Sequence, residues 1–341
     1  ITGDHRETAF AVARRLGIAD SAAQVVTGEQ LERMSGAELR KTVERCRVYA
    51  RVSPKHKSMI VEALQSKGNV VAMTGDGIND APSIKKADIG IAMGVSGTDV
   101  TKNASDMIIS DDNFATIVLA VGEGRRIFSN IKKTIAFFLA TNLAEVLSIF
   151  IVSVLFCRFD FLLSAQLLWL NLVTDSFPVL ALGMERAEPD IMERKPKRAE
   201  KAVFSKESVL SMCFFGGAIT VITLAVFFVS LALFGNATAT TMTFFTLSFA
   251  ELFHAFNIRS DRQSVFRTGI FSNKALLLTV IGGIAVNIAV YAAAPRKAAL
   301  GISALTVWQW VAVFLSALAV IPLGEIYKFF LRRRLRKKGE E

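Results

Sequence analysis

From Ile131 onward the sequence returns about six times to apolar runs long enough to cross a lipid bilayer. Two of them are TIAFFLATNLAEVLSIFIVSVLF (134–156) and FFGGAITVITLAVFFVSLALF (214–234). At 1.5 Å rise per residue, about twenty residues cover the hydrocarbon thickness of a membrane. One such run could be a buried core helix, but their recurrence predicts membrane spans. We draw these at 132–156, 165–183, 208–234, 241–257, 274–294 and 304–330. Residues 1–131 have an ordinary balance of charged and apolar residues, so the 52% hydrophobic content is unevenly distributed.

The net charge of +10 is also unevenly placed. Basic residues cluster at Arg194, Lys195, Lys197, Arg198 and Lys201, at Arg259, Arg262 and Arg267, and in the tail RRRLRKK (332–338). The intervening segment FGNATAT (234–240) is uncharged, and 295–301 has only Arg296 and Lys297. Alternate basic loops put those loops, the amino-terminal part and the tail in the cytoplasm. Topology thus accounts for the charge, and no nucleic-acid partner is implied. Cys46, Cys157 and Cys213 lie far apart with no metal-ligand spacing, so neither a zinc site nor a disulfide framework is expected. The sequence opens at Ile1 with no initiator methionine, which reads as a fragment.

Residues 1–113 alternate strand and helix patterns. HRETAFAVARRLGI (5–18) is helical and ends at Gly17, CRVYARV (46–52) is a strand, and a helix follows with Pro54 at its start and Gly68 at its end. NVVAMTGDG then reads as a buried strand, NDAPSIKKA as a short helix and DIGIAMG as another strand. This alternation predicts a parallel sheet with helices on both faces and a ligand site at the carboxyl ends of the strands. A helix without proline from Ala115 into the first span would be a rigid stalk. His5 and His56 are expected to be solvated, and His254 to be a packing residue.

At the carboxyl end of the third strand stands TGDGINDAP (74–82). Its glycines allow close approach of backbone to phosphate, and the carboxylates of Asp76 and Asp80 suit a hard cation such as Mg²⁺. Lys57 is the nearby basic candidate. A surface turn of Asp, Asn and Gly competes with this reading, and the P-loop pattern is absent.

A second polar set lies inside the apolar runs. An ionisable group in hydrocarbon costs ~2.5–3.5 kcal/mol on insertion scales and usually faces a pathway. Asn142 and Glu145 share a face of the first span. In NLVTDSFP, Asn171, Thr174 and Asp175 share a face of the second, and Pro178 should disturb that helix and free carbonyls. Glu251 lies in the fourth. Single polar residues there read as interhelical hydrogen bonds. Three carboxylates together call for compensating protons or a cation, and the donors are those a Ca²⁺-like ion takes.

TGDGINDAPSIKKADIGIAMG (74–94), with TGD (2–4) and ARVSPKHKSMIVEALQ (50–65), resembles the P-type cation ATPases, members of the haloacid-dehalogenase-like phosphotransferases. The resemblance covers essentially the whole chain. It implies that Thr2, Gly3 and Asp4 lie beside a phosphorylated aspartate, that Lys57 contacts the phosphoryl group, and that Asp76 holds Mg²⁺. Asn79 and Asp80 would order the site, and Arg51 with Lys57 would bind ATP. The family's DKTGT nucleophile motif is missing here, as would be the actuator domain, the nucleotide-binding domain and the first four spans. TNLAEV, NLVTD and FAELFHAFN are similar to the calcium-pump branch of the sarcoplasmic-reticulum type. They imply one Ca²⁺ site from Asn142, Glu145, Thr174, Asp175 and Glu251, with Asn171 and Asp175 contributing to a second. The loop 182–197 resembles the connection of that branch, and its contact with the phosphorylation domain competes with a merely solvated loop.

The expected fold is therefore an α/β haloacid-dehalogenase-like, Rossmann-like domain followed by a bundle of six transmembrane helices. We divide the chain into 1–113 (phosphorylation domain), 114–131 (stalk), 132–330 (six spans) and 331–341 (basic tail). The expected function is ATP-driven Ca²⁺ transport through an aspartyl phosphate, with Mg²⁺ as cofactor and H⁺ countertransport, in the cell membrane. The fragment alone would be inactive. Competing readings are a Na⁺ or other monovalent-cation pump, a membrane-anchored phosphatase, and a truncated non-catalytic membrane protein.

Overall fold

A computed structural model describes residues 1–156, 161–193, 205–260, 263–293 and 300–338. Cys157, Arg262, Arg296, Lys297, the basic group 194–201 and the last part of the loop 182–197 lie outside the described residues. Contacts within the chain divide it into two units, Ile1–Val121 and Gly122–Glu341.

The first unit runs α1 (Arg6–Arg15), β1 (Val25–Thr27), α2 (Gly28–Arg33), α3 (Gly36–Arg45), β2 (Val48–Ala50), α4 (Pro54–Ser66), β3 (Ala72–Gly75), α5 (Ala81–Lys86), β4 (Ile89–Met93), α6 (Asp99–Ala104) and β5 (Met107–Ile109). All strand pairs are parallel, as the alternation predicts, but they form two sheets: β1–β2, and β3–β4–β5. The caps are legible locally. Ser35 and Glu38 close a capping box on α3, with Ser35 N–H donating to Glu38 Oε2 at 2.8 Å. Pro54 opens α4, while Gly17 and Gly68, with φ of 69° and 86°, follow the ends of α1 and α4. Two expectations need correction. His56 is buried rather than solvated: its Nδ1 accepts from Ser53 N–H at 3.1 Å and its Nε2 lies 3.4 Å from Glu32. The strand before TGDG is not buried throughout, since β3 is an edge strand that exposes Ala72 and buries Met73, and Val70 just before it is exposed.

The helix α7 (Phe114–Leu155) runs 42 residues without a break, consistent with the absence of proline. Beyond it lie α8 (Ser164–Trp169), a π-helical turn (Leu170–Thr174), α9 (Ser176–Gly183), α10 (Lys206–Phe234), α11 (Asn236–Ile258), the short α12 (Val265–Thr268), α13 (Lys274–Ala292), α14 (Val307–Leu318) and α15 (Val320–Lys338). Among the described residues, five helical stretches are long and apolar enough to cross a membrane: 114–155, 164–183, 206–234, 274–292 and 307–334. The remaining expected span, 241–257, is helical within α11 but carries more polar residues. Residues Ala239 to Ile258 of α11 are all buried, so this helix presents its hydroxyls and Glu251 to other helices. By contrast Leu172, Val221, Leu233, Leu278, Ile281 and Trp308 face outward. That inversion, polar inside and apolar outside, is what lipid as solvent demands. The last expected span is interrupted at Ala319, and its helix continues through the basic tail to Lys338.

Candidate functional site

In the first unit, residues 2–4 lie along β2. Thr2 N–H donates to Tyr49 O at 2.9 Å, Val52 N–H to Thr2 O at 3.4 Å, and Arg51 N–H to Asp4 O at 3.1 Å. Thr2 Oγ1 donates to Asp4 Oδ2 at 3.0 Å and fixes the turn. Arg51 has a φ of 50° at the carboxyl end of β2, and it shares a cleft with His5, Arg6 and Thr27.

Lys57 sits in the first turn of α4 and forms an ion pair with Asp80 Oδ1. Asp80 is buried under Gly75 at the end of β3. A side chain on Gly75 would strike the Asp80 carboxylate, with its Cβ 2.6 Å from Oδ2. That close approach accounts for glycine there. Asp76 behaves differently. Its backbone carbonyl accepts from Thr98 N–H at 3.0 Å and from Thr101 Oγ1 at 3.4 Å, and its carboxylate is exposed. Asn79 is exposed beside it. One carboxylate is therefore committed to holding a lysine, and the other is open. An open carboxylate on a rigid loop end fits Mg²⁺, which keeps several waters and takes one or two protein carboxylates besides phosphate oxygens. Thr98 and Thr101 escaped the sequence reading. The signal was available, because TDVTKN carries an N-cap threonine, and Thr98 Oγ1 accepts from Thr101 N–H at 3.3 Å.

In the second unit the intramembrane polar residues converge from three helices. Glu145 of α7 accepts a hydrogen bond from Asn171 Nδ2 at 2.9 Å. Asp175, just past the π turn, accepts from Thr141 Oγ1 of α7 at 2.8 Å. Thr174 and Ser248 of α11 share a hydrogen bond of 3.1 Å. Glu251 of α11 is fully buried, and among the described residues neither of its oxygens has a hydrogen-bond partner, nor has Glu145 Oε1 or Asp175 Oδ1. The three carboxylates lie close enough for their charges to interact. Asn142 is only part-buried, and its amide donates to Phe138 O of its own helix.

Among the described residues no three His, Cys, Asp or Glu side chains gather into a metal-holding group. A cation there must also draw on the amide, hydroxyl and carbonyl oxygens. The π turn supplies a local cause for such carbonyls: Asp175 N–H donates to Leu170 O at 3.0 Å, five residues back, and Pro178 has no N–H to give. Thr141 and Ser248 were not anticipated. Thr141 lies one turn before Glu145 on the same face, whereas nothing in the sequence singles Ser248 out among the hydroxyls of α11. His254 is a packing residue as expected, stacked on Phe137 at 5.9 Å and tilted against Phe215 at 4.5 Å.

Residues 159–330 match the family described as cation transporting ATPase, C-terminus, and residues 1–88 match haloacid dehalogenase-like hydrolase. The chain is 41% identical over 345 residues to a calcium-transporting ATPase 1 of Bacillus cereus, covering 96% of this chain and 39% of that protein. It is 41% identical to a calcium-transporting ATPase 1 of Schizosaccharomyces pombe, over 98% of this chain and 38% of that one. To the human calcium-transporting ATPase type 2C member 1 it is 40% identical, over 83% and 31% respectively. The chain thus spans about two fifths of the length of the first two of these relatives.

Proposed function

Because the chain belongs to the cation-transporting ATPase family, we propose that it supplies the cation site and part of the phosphorylation machinery of an ATP-driven Ca²⁺ pump. The observation that carries this reading is the burial of Glu145, Asp175 and Glu251 on three neighbouring helical segments, each with an oxygen that has no hydrogen-bond partner among the described residues. Buried carboxylates repel one another and are costly unless a cation or protons compensate them. Oxygen donors of carboxylate, amide and hydroxyl type suit Ca²⁺. Glu145, Asp175, Glu251, Asn171 and Thr174 are the ligands in this reading, with Asn142 at the margin. The names of the relatives support calcium as the cargo.

In the first unit, Lys57 holds the transferred phosphoryl group by charge, and Asp80 aims it. Thr2, Gly3 and Asp4 flank the reacting carboxylate, with Asn79 on the loop edge and Arg51 toward the nucleotide. Mg²⁺, held by Asp76, would neutralise phosphate charge. Phosphoryl transfer needs this positioning and charge neutralisation more than acid–base chemistry. Residues 1–113 act as part of the phosphorylation domain, 114–131 as the stalk, 132–330 as six spans including α11, and 331–341 as a cytoplasmic tail. The basic loops support a cytoplasmic amino-terminal part, and the cell membrane is the proposed location. Protons returning to the emptied carboxylates would make the transport an exchange.

The test is ATP-dependent uptake of radioactive calcium by vesicles holding the product of the complete reading frame, with Asp175→Asn as the comparison. Uptake lost in the variant supports a calcium pump. ATP hydrolysis that ignores Ca²⁺ and follows Na⁺ would overturn the cargo and keep the enzyme class.

A further inference from the structure

Just past the carboxyl ends of α9 and α11 lies a buried polar cluster that contains none of the proposed ligands. Glu185 and Arg259 are 5% and 1% exposed. The Arg259 guanidinium donates Nε–H to Glu185 Oε2 and Nη2–H to Oε1, each at 2.9 Å, and a third N–H to Gly269 O at 2.8 Å. Asn273, which caps α13, donates to Glu185 Oε2 at 2.8 Å and to Ala181 O at 3.1 Å. From α7, Asn130 Nδ2 donates to Glu185 O at 2.8 Å and to Gly183 O at 3.0 Å, and Arg126 donates to Glu185 O at 3.2 Å. Burial raises the Glu185 pKa, but the hydrogen bonds of Arg259 and Asn273 and the charges of Arg259 and Lys133 hold it below the usual range.

Glu185, which follows α9, therefore receives bonds from α7 through Asn130 and from Arg259, the residue that ends α11. Glu185 follows Asp175 by ten positions, and Arg259 follows Glu251 by eight. At 1.5 Å per residue these offsets are about 15 and 12 Å along the helices. An ion pair at that depth is a poor stabiliser compared with an apolar pair, because desolvation offsets most of its attraction. What a bidentate fork does supply is a defined geometry. It sets the separation and rotation of α9 and α11, and α7 is joined through Asn130.

We propose that the Glu185–Arg259 pair is a positioning device that sets the spacing of the three carboxylate-bearing helices. Its integrity governs cation affinity and leaves phosphoryl chemistry alone. This rests on the reading of Glu145, Asp175 and Glu251 as cation ligands. The experiment compares wild type, Glu185→Gln and Arg259→Lys, each as the product of the complete reading frame in vesicles. Two quantities are read: the half-saturating Ca²⁺ for ATP-driven uptake, and phosphoenzyme formed from inorganic phosphate without Ca²⁺. Glu185→Gln should raise half-saturating Ca²⁺ about tenfold. Arg259→Lys, which keeps the charge and loses the fork, should raise it about threefold. Phosphoenzyme from inorganic phosphate should stay within about twofold in both. Unchanged half-saturation in both variants would overturn the proposal. So would a parallel fall of both readouts in both variants, which marks a general folding role. A wild type without Ca²⁺-dependent uptake would remove the underlying reading and this proposal with it, an outcome distinct from the other two.

Discussion

Glu251 has two carboxylate oxygens, full burial and no hydrogen-bond donor among the described residues. Asp80, by contrast, is buried and paired with Lys57. The same residue class thus stands in opposite surroundings: one buried acid has no donor among the described residues, and the other holds a lysine. Lys57→Ala should slow phosphorylation about a hundredfold, the scale for losing one charge-stabilising donor. Asp76→Asn should instead raise the Mg²⁺ needed for half-maximal phosphoenzyme, and a Mg²⁺ titration separates the two. A third prediction concerns Asp112, which has a φ of 49° and accepts from Val95 and Ser96 N–H at 3.0 and 2.7 Å. These hydrogen bonds, that from Val95 foremost, lower its pKa to about 2. A carboxyl depressed on folding stabilises above its unfolded pKa, and that contribution disappears as pH falls through the folded value. Asp112→Asn should therefore reduce hydrogen-exchange protection of Val95 and Ser96 at neutral pH. The difference from wild type should close between about pH 4 and about pH 2.

At the scale of elements, the π turn at Leu170–Thr174 gives Asp175 its aim toward Thr141, because one extra residue in the turn rotates the helix beyond it. Trp169 immediately precedes this turn, and its indole N–H donates to Asn287 Oδ1 at 3.2 Å. Pro178→Ala would restore a helix donor and favour a regular helix. On the proposed cation site, Ca²⁺ should change tryptophan fluorescence through Trp169, and the substitution should weaken that change and move its midpoint to about tenfold higher Ca²⁺. A midpoint that does not move would detach the π turn from cation binding. Gly216 of α10 marks a close approach to α7: a side chain there would stand 2.9 Å from Leu143 Cδ2 and 3.0 Å from Ala140 O. Gly216→Ala should cost about 1–3 kcal/mol by overpacking, seen as a lower melting temperature in detergent.

For the molecule as a whole, the proposed cation site would link ion binding to the folding of the second unit. A ligand that binds only the folded state adds about 2.7 kcal/mol at a hundred times its dissociation constant. Ca²⁺ should therefore raise the melting temperature of the solubilised protein, and Asp175→Asn should abolish that rise. The same variant should melt no lower than wild type without Ca²⁺, because it removes one of three mutually repelling buried charges. An Asp175→Asn protein that still gains stability from Ca²⁺ would place the binding elsewhere.

Much of this was legible in the sequence because it is local. Apolar length, helix caps, the glycine-rich acidic turn and the face shared by Thr174 and Asp175 depend on neighbours within a few residues. On them the parallel strands and the long apolar helices could be read, and the residues of both candidate sites could be picked out as expectations. What tertiary structure decided depends on partners far along the chain. That α11 is enclosed, so that it tolerates polar residues in a membrane-length helix, is set by the helices around it. The burial of His56 and the exposure of Val70 depend on which elements cover them, and the role of Ser248 depends on facing Thr174. Arg259 reads as one more loop cation in a basic cluster. Only its approach to Glu185, 74 residues away, makes it a buried partner, because a charge far from water must find its counter-charge wherever the fold brings one.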